Sequence, residues 1–191
     1  MRFIHRAPFG CDMATAKTSS FILTERVTVT AAGGANAVTG TIDLGAYIDV
    51  VGRLAIAVES VDFVYQGTLP GDEVPSVLGA NNGCFAQITD LNRGNALVFA
   101  DDRALIASGQ LYVDGQLNPS MDMDVYPDNF GPVAAQGTKL VVNDQMYFTG
   151  QANAIQGVTQ LNITARLTCK IVKLSNQDWM SLALQSTAAD N

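Results

Sequence analysis

The chain has 191 residues, with 11 lysines and arginines against 18 aspartates and glutamates, a formal net charge of −7. Only 15% of its residues are charged, where about 25% is usual, and that balance excludes a general nucleic-acid binder, which needs clustered cations to displace counterions. The length suits one all-β domain that buries enough surface to need neither disulfide nor metal, and the uncharged remainder, rich in Thr, Asn, Gln, Ser and Gly with four lysines (Lys17, Lys139, Lys170, Lys173), can be buried against neighbours at low desolvation cost.

Residues 1–19 lack periodicity and read as an N-terminal arm. Arg2, Arg6 and Lys17 are opposed there only by Asp12, and His5 adds charge at low pH. Such an arm is either a solvated tail or a contact to another subunit, a polyanion or a membrane surface. Met1 to Ala14 holds no apolar run of the signal-peptide kind. Met13-Ala14-Thr15-Ala16-Lys17 reads like a natural start, which makes residues 1–12 an upstream extension. The most apolar stretch, Val50 to Val58, contains Arg53 and is too short to span a bilayer.

The domain proper is expected over residues 20–174. From Ser20 the pattern takes period two: Phe21, Leu23, Val27 and Val29 on one face, Thr24, Arg26, Thr28 and Thr30 on the other. Residues 31–36 form a turn, and Val38 to Leu44 a second strand. Gly45 to Arg53 is either one helical turn or a link. Leu54 to Gln66 is a long strand with a defect, because Leu54, Ile56 and Val58 share one parity while Val61, Phe63 and Tyr65 share the other. A β-bulge near Glu59-Ser60 puts both sets on the core; the alternative is a strand buried on both faces.

Gly67 to Asn82 is a long loop. Short strands follow at Cys84 to Thr89, Ala96 to Ala100 and Ala104 to Val113, with a turn at Asp114-Gly115. Asn118 to Pro132 is an excursion with one short strand, and Lys139 to Asn143 and Gln145 to Gly150 are two more strands. Gln160 to Leu174 is the clearest element, with Leu161, Ile163, Ala165, Leu167, Cys169 and Ile171 alternating with polar residues, and it crosses the centre of a sheet. Residues 175–191 are a short C-terminal helix and a loose tail: Ser175 is an N-cap with an acid, Asp178, at the third helical position. Trp179 either plugs the end of the sandwich or anchors to a neighbour. The expected fold is therefore a two-sheet, all-β sandwich of about eight strands, the jelly-roll count.

No catalytic, cofactor-binding or metal-binding residues are assigned. The single histidine, His5, lies in the arm, so neither a multi-histidine metal site nor a Ser-His-Asp triad can be built. Residues 32–35 join two strands and cradle no phosphate. Glu59, Asp62, Asp72, Glu73, Asp101 and Asp102 are the carboxylates that could pair for glycoside hydrolysis, but 18 acids place some together by chance. Asp122, Asp124, Asp128 and Asn129 are either a solvated loop or a structural calcium site. Cys11, Cys84 and Cys169 are odd in number and far apart, without metal or redox spacing. Cys84 and Cys169 read as small core residues. Phe63, Tyr65, Tyr112, Tyr147 and Phe148 fall in strands, where core packing is expected.

Three stretches together resemble the small single jelly-roll capsid proteins of icosahedral viruses of bacteria and archaea: the short arm at residues 14–20 entering a Thr/Val-rich strand, the strand Leu54 to Phe63, and the strand Leu167 to Ser175 running into a terminal helix. The resemblance is one of layout over about residues 13–185. It implies a structural virion protein, not an enzyme. Such a subunit is made in the host cytoplasm and self-assembles by lateral packing of its jelly-roll domains. Its partners are copies of itself and other shell proteins, with a membrane or inner layer reached through the arm and no sequence-specific nucleic acid. The alternative is a non-catalytic binding module for carbohydrate or receptor attachment.

Overall fold

The computed structural model describes residues 15–30, 36–123, 139–156 and 159–188. In chain order the elements are β1 (Thr15–Ala16), β2 (Phe21–Thr30), β3 (Asn36–Asp43), β4 (Leu54–Gln66), α1 (Val74–Leu78), β5 (Asn82–Thr89), β6 (Leu105–Val113), β7 (Pro119–Met123), β8 (Lys139–Val141), β9 (Gln145–Ala152), β10 (Gln160–Lys173) and α2 (Asn176–Ala188).

The strands form two five-stranded antiparallel sheets that pack face to face. Sheet A runs β1-β10-β4-β8, with β2 also paired to β10; sheet B runs β3-β9-β5-β6-β7. The expected sandwich is therefore present, with β10 inside sheet A as its length and alternation require. Strand pairs nest around one centre: β2 with β10, β3 with β9, β4 with β8, and β5 with β6. The two-residue β1 and the edge strand β7 lie outside that nest.

Alternation explains the core. Val27, Val29, Leu161, Ile163, Ala165 and Leu167 from sheet A meet Ile88, Leu111, Met146 and Phe148 from sheet B, all buried. Phe63 and Phe148 stack across the two sheets with centroids 6.0 Å apart. A Cβ on Gly150 would lie 2.6 Å from Val27 Cγ2 and 3.0 Å from Ile163 Cδ1, so the missing side chain lets the sheets approach there. Cys84 and Cys169 are fully buried, as core residues should be.

The defect in β4 is both things the pattern allowed. Thr168 pairs with Ser60 and Cys169 with Val58, which leaves Glu59 as the extra residue of a bulge. Beyond it, Ala55, Ile56, Ala57 and Val58 are all buried. Ile56 and Val58 face the main core, while Ala55 and Ala57 join Val172, Leu174 and Trp179 in a second cluster under α2. Trp179 thus neither plugs the end of the sandwich nor points away: it lies on the outer face of sheet A. Ser175 caps α2 as expected, its Oγ donating to Asp178 Oδ2 at 2.7 Å and accepting from Asp178 N at 3.2 Å.

Three readings change and one open choice, over Gly45 to Arg53, is resolved as a link of turns. Residues 96–100 are not a strand, because the Gln87 side chain takes both backbone groups of Val98: its Nε2 donates to Val98 O and its Oε1 accepts from Val98 N, each at 2.8 Å. The loop after β4 contains α1, with Pro75 in its first turn. Gly45 to Arg53 is a pair of turns closed by a bridge between Asp49 and Leu54. The arm does not stay clear of the domain up to Ser19: Thr15 and Ala16 pair with Lys173 and Val172. Residues 31–35 of the expected turn and most of the excursion after β7 lie outside the described residues, while Asn36 begins β3.

Candidate assembly surface

Directly opposed residues in an antiparallel ladder share a face, and the outer face of sheet A can be read row by row. Thr28 and Gln66 flank Asn162; Arg26 and Val64 flank Thr164; Thr24 and Asp62 flank Arg166; Ile22 and Ser60 flank Thr168. Hydroxyls and amides dominate. Thr28 Oγ1 donates to Asn162 Oδ1 at 2.8 Å, and Asn162 Nδ2 donates to Gly67 O at 2.8 Å, so the amide is fixed in place.

The charges on this face largely balance. Lys170 Nζ donates to Glu59 Oε1 at 2.8 Å, and Ser20 Oγ donates to Glu59 Oε2 at 2.5 Å. Those two bonds, the lysine's first, hold the Glu59 carboxyl below its ordinary range. Arg166 lies opposite Asp62. The bulge makes this arrangement, since the extra residue turns Glu59 to the outer face beside Ser60. The same region holds the N-terminal strap: Lys17 N donates to Ile171 O at 2.8 Å and Ile171 N donates to Thr18 Oγ1 at 3.0 Å.

Acidic residues collect instead at the two ends of the sandwich. At one end Leu44 N donates to Asp144 O and Asn143 Nδ2 to Asp90 O, which gathers Asp43, Asp49, Asp90, Asp102 and Asp144 in neighbouring turns. At the other, Asn81 N donates to Asp114 O, which joins the turn of Asp114 to the loop that carries Asp72 and Glu73. Sheet B is covered, among the described residues, over β3, β9 and β5. The 90–104 loop lies across it, held by the Gln87–Val98 pair and by Thr39 Oγ1 donating to Gly94 O at 2.8 Å, and Thr89 and Thr149 are buried beneath.

The carboxylates considered for hydrolysis are not brought together as a pair. Glu59 is held by Lys170. Asp102 accepts from Ala104 N at 2.8 Å and meets Arg93 at 3.2 Å, which lowers its pKa, the backbone bond more than the arginine. Asp72 accepts from Leu69 N at 2.7 Å and shapes its own loop. Burial raises the Asp90 carboxyl. The Cys84 and Cys169 thiols are each pushed up to about 12 by burial, which makes them poor nucleophiles. Among the described residues no three His, Cys, Asp or Glu side chains gather as a metal site would need. Asp122 falls on β7, while Asp124, Asp128 and Asn129 of the calcium reading, and His5 and Cys11, lie outside the described residues. Tyr112 departs from the expected core packing and is exposed on β6; Phe99, the other strongly exposed aromatic among the described residues, sits on the 90–104 loop, so the two do not share one element.

Parity exposed the threonine side of β2 and the polar side of β10. The Glu59–Lys170–Ser20 cluster was not legible, because it joins positions 111 and 39 residues apart. Compared with known proteins, the chain matches no protein-family model and no curated protein.

Proposed function

We propose that this chain is a structural shell subunit, a jelly-roll domain that assembles by packing laterally against copies of itself in a virus capsid. The observation that carries this reading is the outer face of sheet A: a broad surface of threonine, serine, asparagine and glutamine whose carboxylates sit opposite or against cations. Covering the hydroxyl and amide rows of such a face costs little desolvation, and its carboxylates already lie beside cations. The acids crowd the two ends, where they stay hydrated while neighbours pack side by side.

The pairing order supports the jelly-roll part of the reading. A jelly roll is one long antiparallel hairpin of eight strands rolled into two sheets, so its first strand pairs with its last, its second with its seventh, and so inward. With β1 and β7 set aside, the nested pairs of this chain follow that order. Thr15 and Ala16 join the ladder at Lys173 and Val172, and in this reading the residues before them are what contacts a neighbour, a membrane or an inner layer.

The test is the native mass of the purified protein by light scattering, across concentration, salt and calcium. Rings, pentamers, hexamers or larger particles are the expected outcome. A monomer of 20.2 kDa under every condition would exclude a shell subunit and turn attention to glycan and receptor screening, as a binding module would require.

A further inference from the structure

The inner side of β2 carries one residue that does not suit a core. Phe21, Leu23, Val27 and Val29 alternate there and all pack into the main cluster, yet the position between Leu23 and Val27 is Glu25. Its side chain is half-buried and, among the described residues, makes no ion pair or hydrogen bond. Space is left for it across the sandwich. Gly40 of β3 faces it, and a Cβ on that glycine would lie 2.9 Å from Glu25 Oε1 and 3.1 Å from Val27 Cγ1. The carboxylate thus lies against bare backbone of the other sheet, at the side of the sandwich where both sheets end.

That side is open to other chains. Among the described residues β2 pairs only with β10 and β3 only with β9, so each presents an unpaired edge. β2 runs for ten residues, Phe21–Thr30, rich in threonine and valine and free of proline and glycine. Such an edge is a template on which another chain can add a strand. An added strand would extend sheet A along the open side and take water away from Glu25. The carboxylate would then be buried without a partner, which is costly. A valine at the same position would continue the apolar stripe and carry no such penalty. Charged side chains turned inward on an edge strand are one way in which sheets resist edge-to-edge pairing.

We propose that Glu25 is a guard against strand addition: it keeps the β2–β3 side of the sandwich from joining other chains edge to edge, and Gly40 leaves it the room to do so. The inference goes beyond the shell reading and does not depend on it. Where copies pack, the guard directs them to faces of the sandwich and away from this edge.

The experiment compares the full wild-type chain with Glu25→Val and with Thr24→Val, which adds the same side chain one position away on the outer face. Light scattering reads the native mass over one range of concentrations, and hydrogen exchange reads the backbone amides of β2. The Glu25→Val variant is expected to form higher-mass species at a concentration at least about tenfold lower than the wild type, since removing each 1.4 kcal/mol of penalty is worth a factor of ten. Its β2 amides should gain protection as it associates, and Thr24→Val should behave as the wild type does. If Glu25→Val does not fold, Glu25→Thr is measured in its place with the same expectation. A variant that associates no more readily than the wild type overturns the guard. So does association that Thr24→Val matches, or that leaves the β2 amides unprotected. A wild type that stays a monomer at every concentration excludes the shell reading alone, because the guard is read from the variant against that monomer.

Discussion

Glu59 Oε1 accepts a hydrogen bond from Lys170 Nζ at 2.8 Å across the one place where β4 and β10 fall out of register. The bulge and the ion pair are one feature, since a strand without the extra residue would not bring Glu59 to the outer face beside Lys170. Ser20 adds the second bond and fastens the entry to β2.

Glu59→Gln should therefore lower stability by less than about 1 kcal/mol, because partly exposed ion pairs are weak and the Glu59 side chain keeps 26% of its exposure. The sign with pH follows from the lowered carboxyl. A folded pKa below the ordinary value of 4.5 gives stability that is present above that value and lost as the pH falls through the folded pKa. Melting curves of wild type and variant should differ at pH 7 and converge in the acid range. A gap that widens on acidification would show that Glu59 is not held as described.

Gly150→Ala should cost about 1–3 kcal/mol, the usual penalty for overpacking. The new methyl would stand 2.6 Å from Val27 Cγ2 and 3.0 Å from Ile163 Cδ1, and both neighbours belong to the fully packed core. Pairing it with Val27→Ala should recover part of the loss, and urea unfolding of the three variants measures that coupling directly.

Ile163→Asp should abolish soluble folding. Ile163 is fully buried on the inward face of β10, and an unpaired carboxylate there costs several kcal/mol out of a total near 5–15. A soluble variant with the wild-type melting temperature would mean that the inward face of β10 is wrongly assigned.

Trp179→Ala should cost about 3–5 kcal/mol, as large-to-small changes at buried aromatics do. Trp179 covers Ala55, Ala57, Val172 and Leu174, and small alanines cannot rearrange to fill the space. The loss should appear in thermal melting. As the only tryptophan, it also reports on itself: quenching of its fluorescence by iodide should be weak in the native protein and rise on unfolding.

Deleting residues 1–19 should leave the fold intact and alter assembly. β1 contributes only Thr15 and Ala16 to the ladder, and residues 16–20 are exposed. A large fall in the melting temperature of the monomer would show that the strap is integral to sheet A.

The sequence by itself determined the sandwich, because period-two alternation in β2, β4 and β10 fixes which side chains leave water and a one-residue slip would reverse every one of them. It also narrowed β4 to two readings, a bulge near Glu59 or burial on both faces, since the parity of Leu54, Ile56 and Val58 cannot meet that of Val61, Phe63 and Tyr65 on one face without an extra residue, and the structure holds both. The cap of α2 was legible for the same reason: Ser175 and Asp178 satisfy local groups at a fixed spacing. Only the tertiary structure decided the rest. The segment at residues 96–100 has strand composition but lost its ladder to the Gln87 side chain, a partner no local pattern announces. Trp179 of α2 found its place on sheet A because the bulge turned Ala55 and Ala57 outward, and their small size leaves room for an indole. Valines 50 and 51 belong to the most apolar stretch of the chain, yet the bridge from Asp49 to Leu54 sets them on an exposed turn. Local periodicity sets which face of a strand is apolar, whereas what covers that face depends on contacts between residues far apart in the chain.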